Sequence, residues 1–157
     1  MLSGDRRALE GLPLKLLIMS LLISLTAPAV MGSLEGYERS IARSEIVSEA
    51  NRLARMSEEV LSAGEGNRRS ITLELPQASS RYGLAVEVGG GIDDTSAYSI
   101  RCLEEDMVFN AIVSDDPPVR TVTMSGSPLL LEAGTLSLML ECARIDGRLC
   151  VVVEASP

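Results

Sequence analysis

The sequence contains no histidine and no tryptophan, one phenylalanine, and a single lysine, Lys15. Without histidine the chain lacks the usual general base near neutral pH and the commonest zinc ligand. Ser-His and Cys-His catalysis therefore have no base to draw on. The lone lysine falls in an apolar run, which removes a Ser-Lys pair from the rest of the chain. No Gly-Lys-Ser or Gly-Lys-Thr phosphate loop is present, and GGGIDD lacks both the lysine and the strand-turn-helix setting such a loop needs. Gly89 to Gly91 is expected to make a hairpin turn. Asp93 with Asp94, Asp115 with Asp116, and Glu104-Glu105-Asp106 supply oxygen ligands, but none has the ligand spacing of a calcium loop, so they read as solvated charge in turns. No catalytic residue, metal or cofactor is expected. Fourteen basic residues against 22 acidic ones give a net charge of -8, the wrong sign for a nucleic-acid binder.

With 46% hydrophobic residues but only 3% aromatic, any core must be aliphatic. The 157 residues allow one folded domain, of about 90 residues once an apolar N-terminal segment is set aside. That segment, Leu12 to Met31, reads LPLKLLIMSLLISLTAPAVM, and its only charge, Lys15, lies near one end. A helix of this length covers about 30 Å, the thickness of a hydrocarbon core. Arg6 and Arg7 precede the run and Glu35 and Glu38 follow it, so the positive-inside rule places the N-terminus in the cytoplasm and the remainder outside the cell. A cleaved secretory signal, with Ala27-Pro28-Ala29 as the small-residue site, and an uncleaved signal anchor are both open readings.

A second helical pattern follows. Leu34, Tyr37, Ile41, Ile46, Ala50 and Leu53 recur mainly three, four or seven apart and draw one apolar stripe on a charged helix. Gly64 and Gly66 supply the stop. Only Pro28, Gly32 and Gly36 interrupt the two patterns, and a proline inside a membrane helix kinks it more often than it ends it. The simplest expectation is one kinked helix from about Ala8 to Ala63, about 80 Å long. The stripe has two candidate uses. It can bundle with copies of itself, or it can pack on the chain's own domain.

From Ser70 the period changes to two, in ITLEL, GLAVEV, YSIRCL, VFNAIV, VRTVTM, LLLEA, TLSLMLECARI and LCVVVEA. Seven or eight short strands are expected, in a meander or sandwich packed against the helix, which makes the fold class α+β. The expected organisation is a leader over 1–11, a membrane helix over 12–31, its amphipathic continuation over 32–64, and a β-rich domain over 70–157. Asp146-Gly147 is the strongest hairpin signal. A three-residue loop would set Cys142 opposite Cys150 for a disulfide, whereas a two-residue loop would pair Ala143 with Cys150. Three buried reduced cysteines, Cys102 included, are the other reading.

The charged leader and apolar run RRALEGLPLKLLIMSLLISLTAPAV, the amphipathic half-helix SLEGYERSIARSEIVSEANRLARMSEEVLSAGEGN and the strands after it resemble a type IV pilin, in particular the archaeal pilin-like proteins. The resemblance covers about the first 65 residues. It implies a peptidase cut ahead of the helix, with Gly4 as the processing candidate. It also implies a glutamate that sets subunit register, the role that falls to Glu10. Cleavage after Gly4 puts Glu10 at the sixth position, one beyond the family pattern, and no basic residue precedes Gly4. The implied function is structural and non-enzymatic: a pilus subunit or pilus-associated surface protein, with the membrane and other pilin-like subunits as partners. The helix stripe would be its packing surface, and adhesion a use for the exposed domain. The alternative is a membrane-anchored accessory domain that does not polymerise.

Overall fold

A computed structural model describes residues 6–156, with side chains from residue 14 onward. Gly4 lies outside the described residues. Glu10 falls in the first helix, but its side chain is likewise outside them. Helix α1 spans Arg6–Ala63 and helical geometry continues through Pro28, Gly32 and Gly36. The chain divides into two compact units, Met1–Glu38 and Arg39–Pro157, so the boundary falls inside α1 rather than at its end.

In the second unit the last part of α1 joins eight strands: β1 (Arg68–Leu75), β2 (Leu84–Val88), β3 (Ser99–Glu104), β4 (Met107–Val113), β5 (Thr121–Val122), β6 (Leu129–Leu131), β7 (Gly134–Ile145) and β8 (Arg148–Ser156). All eight alternating segments of the sequence are strands. A one-turn helix α2 (Ala78–Arg81) connects β1 to β2. Two four-stranded sheets form, in the orders β1-β7-β8-β5 and β4-β3-β2-β6. Every pairing is antiparallel except β5 with β8. The fold is α+β, with the helix packed on two largely antiparallel sheets.

Ala42, Ile46, Ala50, Leu53 and Val60 of α1 form one core with Ile71 and Leu73 of β1, Val86 and Val88 of β2, and Leu138 and Leu140 of β7. Their spacing puts them on one helix face, and the two alanines keep that face low enough for the sheets to approach. Side-chain contacts join α1 to β1 and β4, the outer strands of the two sheets. Glu49 Oε2 accepts the Glu74 backbone N–H at 3.2 Å and Glu59 pairs with Arg69 at 3.1 Å on the β1 side. Ser114, just past β4, donates to Glu58 at 2.6 Å, and the Arg43 guanidinium sits 5.2 Å from the Phe109 ring centre in β4. These contacts tie α1 to one margin of each sheet, while β4 itself stays largely exposed.

A smaller second core, of Ala97, Val122, Cys150 and Val152, lies on the far side of the β8 sheet. It explains why LCVVVEA does not alternate. Val151 and Val153 face the main core while Cys150 and Val152 face the second, so four successive residues are buried. The segment from Gly89 to Tyr98 supplies the cover. As expected, the three glycines fall in a hairpin connection, that of the antiparallel β2 and β3, but it is a long one: they lead out of β2, and the chain turns only at Gly91–Asp94, where the Asp94 N–H donates to the Gly91 carbonyl at 3.0 Å. A Cβ on Gly89 would lie 2.8 Å from the Thr123 side chain, and φ there is 80°, so glycine is required by contact and conformation together. Arg120 anchors the segment, donating to the Ile92 carbonyl at 2.5 Å and to the Tyr98 hydroxyl.

Candidate membrane anchor and assembly surface

Within the first unit, α1 is long and apolar enough to cross a membrane, and none of its most apolar window is buried inside the protein. Leu14, Leu16, Leu17, Ile18, Met19, Leu21, Leu22, Ile23 and Leu25 are all exposed. In water such a surface would be costly, at about 25 cal/mol per Å² of apolar area. The hydroxyls of this stretch are also met internally. Ser20 and Ser24 donate to the carbonyls of Leu17 and Leu21, and Thr26 donates to that of Leu22, each at 2.9 Å. Hydroxyls bound to their own backbone are the form a hydrocarbon environment tolerates.

The apolar stripe divides in two. Leu34, Tyr37 and Ile41 are exposed, at 56%, 66% and 41%. Ile46, Ala50 and Leu53 have no exposed surface at all, being spent in the chain's own core. The expectation that all six residues form a subunit-packing surface is corrected accordingly: only the first three are available to a neighbour.

Where the helix meets β3, sequence reasoning missed a cluster. Glu104, whose side chain is 8% exposed, receives Arg39 Nε at 2.5 Å on one carboxylate oxygen and Arg43 on the other. Arg43 also stacks on Phe109. Arg39 and Arg43 are four apart, one turn of the same helix, and that spacing was the only signal available. Glu104 had read as part of a solvated acidic run. Its two neighbours instead form the β3–β4 turn, Glu105 and Asp106 both taking positive φ, 49° and 65°. Asp94 caps the short 3₁₀ turn at Thr95–Tyr98 through the Ser96 N–H, and this bond, chiefly, holds its carboxyl below the ordinary range. Among the described residues no three of His, Cys, Asp and Glu converge as metal ligands would.

The disulfide between Cys142 and Cys150 is also corrected. Asp146 and Gly147 make a two-residue turn with φ of 49° and 80°, so Cys142 pairs with Val151 and Ala143 with Cys150. Residues opposite one another share a face, which puts the two sulfurs on opposite faces of the sheet, one in each core. All three cysteines are free and buried. Burial raises each thiol above its ordinary value, that of Cys102 to about 11. Because the unfolded thiol ionises near 9.0 and the folded Cys102 thiol near 11, the unfolded state loses its proton first. Stability held below pH 9 should therefore fall as pH rises through this interval, and replacing Cys102 with alanine should flatten the decline. Urea midpoints measured across that range, with and without the substitution, check the expectation.

Fold and surface together define a class: an α+β protein whose N-terminal helix can anchor it in a membrane and whose two-sheet domain takes in the second part of that helix. No family model matches the chain, and neither a curated protein nor a solved structure matches it.

Proposed function

We propose that this chain is a membrane-anchored, non-enzymatic structural protein of the cell surface, a pilin-like subunit or pilus-associated protein. The carrying observation is the exposed apolar stretch of α1, continuous along the helix with the exposed Leu34, Tyr37 and Ile41. Such a helix rests in lipid as a monomer and buries the same surface when copies bundle. The cytoplasmic N-terminus, the extracellular domain and assembly with pilin-like partners belong to this reading.

A second reading, an anchored accessory domain that never polymerises, draws support from the burial of Ile46, Ala50 and Leu53, which removes half of the bundling seam. Membrane, sheared-filament and medium fractions distinguish the two. A pilin-like subunit is expected in sheared filaments with its N-terminus at or before Leu12, and Tyr37→Asp should move it from filaments to membranes without unfolding the domain. Confinement of the full chain to membranes would favour the accessory domain. A soluble form beginning near Val30 would overturn both.

A further inference from the structure

The outer face of the β4-β3-β2-β6 sheet carries a groove of about 320 Å³ that none of the preceding roles uses. Ala85 pairs with Leu103 across β2 and β3, while the adjacent Val86 and Cys102 point into the main core, so Ala85 and Leu103 face outward. With Leu130 of β6 they make an apolar floor. Glu105 and Asp106 from the β3–β4 turn, with Glu132 just past β6, stand at its rim. All three are exposed, and none forms an ion pair with a described arginine.

Acidic residues alone would signify little, but a second feature belongs to the same groove. Ser79 of α2 lines it, has no exposed surface, and its hydroxyl has no hydrogen-bond partner. A buried hydroxyl left unbonded is costly, and a ligand that supplies the bond removes the cost. The groove also extends to β6, the last strand of its sheet, which pairs with β2 alone. The far edge of β6 therefore presents backbone groups that an extended chain can pair with and a small amine cannot.

We propose that this groove docks an extended, basic segment of a partner protein, which enters at the free edge of β6, crosses the outer face of the sheet over Ala85 and sets an arginine or lysine among Glu105, Asp106 and Glu132. The aliphatic stem of that side chain lies on Leu103 and Leu130, and its charged head reaches the carboxylates. Another copy of this chain is the weaker occupant, because each copy carries a net charge of -8.

The test uses the full chain in detergent micelles, titrated calorimetrically with a blocked peptide of alternating valine and arginine. The same peptide with glutamate in place of arginine is the comparison. The arginine peptide should bind about tenfold tighter or more at low salt and lose most of that advantage as salt is added. The triple variant E105Q/D106N/E132Q should weaken it about tenfold, and Ser79→Ala about threefold to tenfold, whereas Glu154→Gln on the other sheet should change nothing. Thermal unfolding of each variant, matched to the parent, separates lost binding from lost fold, and E132K, a single exposed change, repeats the charge test if the triple variant unfolds. Equal binding of the two peptides, or full affinity in the carboxylate variants, would overturn the proposal. Spermidine binding as tightly as the peptide would also overturn it, by making the ligand a small amine. Self-association that blocks the groove would assign it to a second copy instead.

Discussion

Leu53→Ala should lower the stability of the Arg39–Pro157 unit by about 2–5 kcal/mol, among the largest effects of any single truncation in the chain. Leu53 has no exposed surface and sits on the helix face that meets both sheets, so the deletion leaves a void that neither sheet can close alone. Urea denaturation of the full chain in micelles, followed by the β-sheet circular dichroism signal, gives the comparison. Leu34→Ala, about five turns earlier and 56% exposed, should leave the same midpoint unchanged. The pair separates the two halves of one stripe: Leu53 should register in folding and Leu34 should not. A loss of less than about 1 kcal/mol at Leu53 would mean that the helix is not an integral part of the domain core.

Glu104→Ala should cost about 2–3 kcal/mol, because it leaves two guanidinium groups gathered without their counter-charge. The value falls below the usual range for a fully buried pair because Arg39 and Arg43 are 45% and 43% exposed and can turn to water. Glu104→Gln keeps the shape and removes the charge, so its loss isolates the electrostatic part. The deficit should shrink only modestly in high salt, since the carboxylate itself is 8% exposed and poorly screened. Equal midpoints for the parent and Glu104→Ala would sink the claim that this cluster clamps α1 to β3.

Much of the architecture was readable from periodicity. Eight alternating runs became eight strands, and the apolar and amphipathic patterns became one helix. Shortening was greatest in VRTVTM, where only Thr121 and Val122 pair, and they do so in parallel with β8. Pro117 and Pro118, which lack the N–H a ladder needs, stand just ahead of it. Less readable were contacts between segments distant in sequence. Glu104 lies 65 residues from Arg39, and nothing in SIRCLEEDM distinguishes a clamped glutamate from the two turn acids beside it. The unspent hydroxyl of Ser79 was equally silent, since ASSR reads as a polar connection.

The cysteines show the same boundary. The sequence reduced the hairpin to two loop lengths, each with its own register, but a one-residue difference in turn length puts the sulfurs on the same face or on opposite faces. Only the folded turn chose between them. By itself the sequence determined the elements, the apolar run and the excluded chemistries, because these follow from residue type and local period. The tertiary structure decided how each apolar face is used: Ile46, Ala50 and Leu53 within the chain, Leu34, Tyr37 and Ile41 outward. A period of 3.6 records that a face must leave water, while the identity of what covers it depends on strands that pair far along the chain.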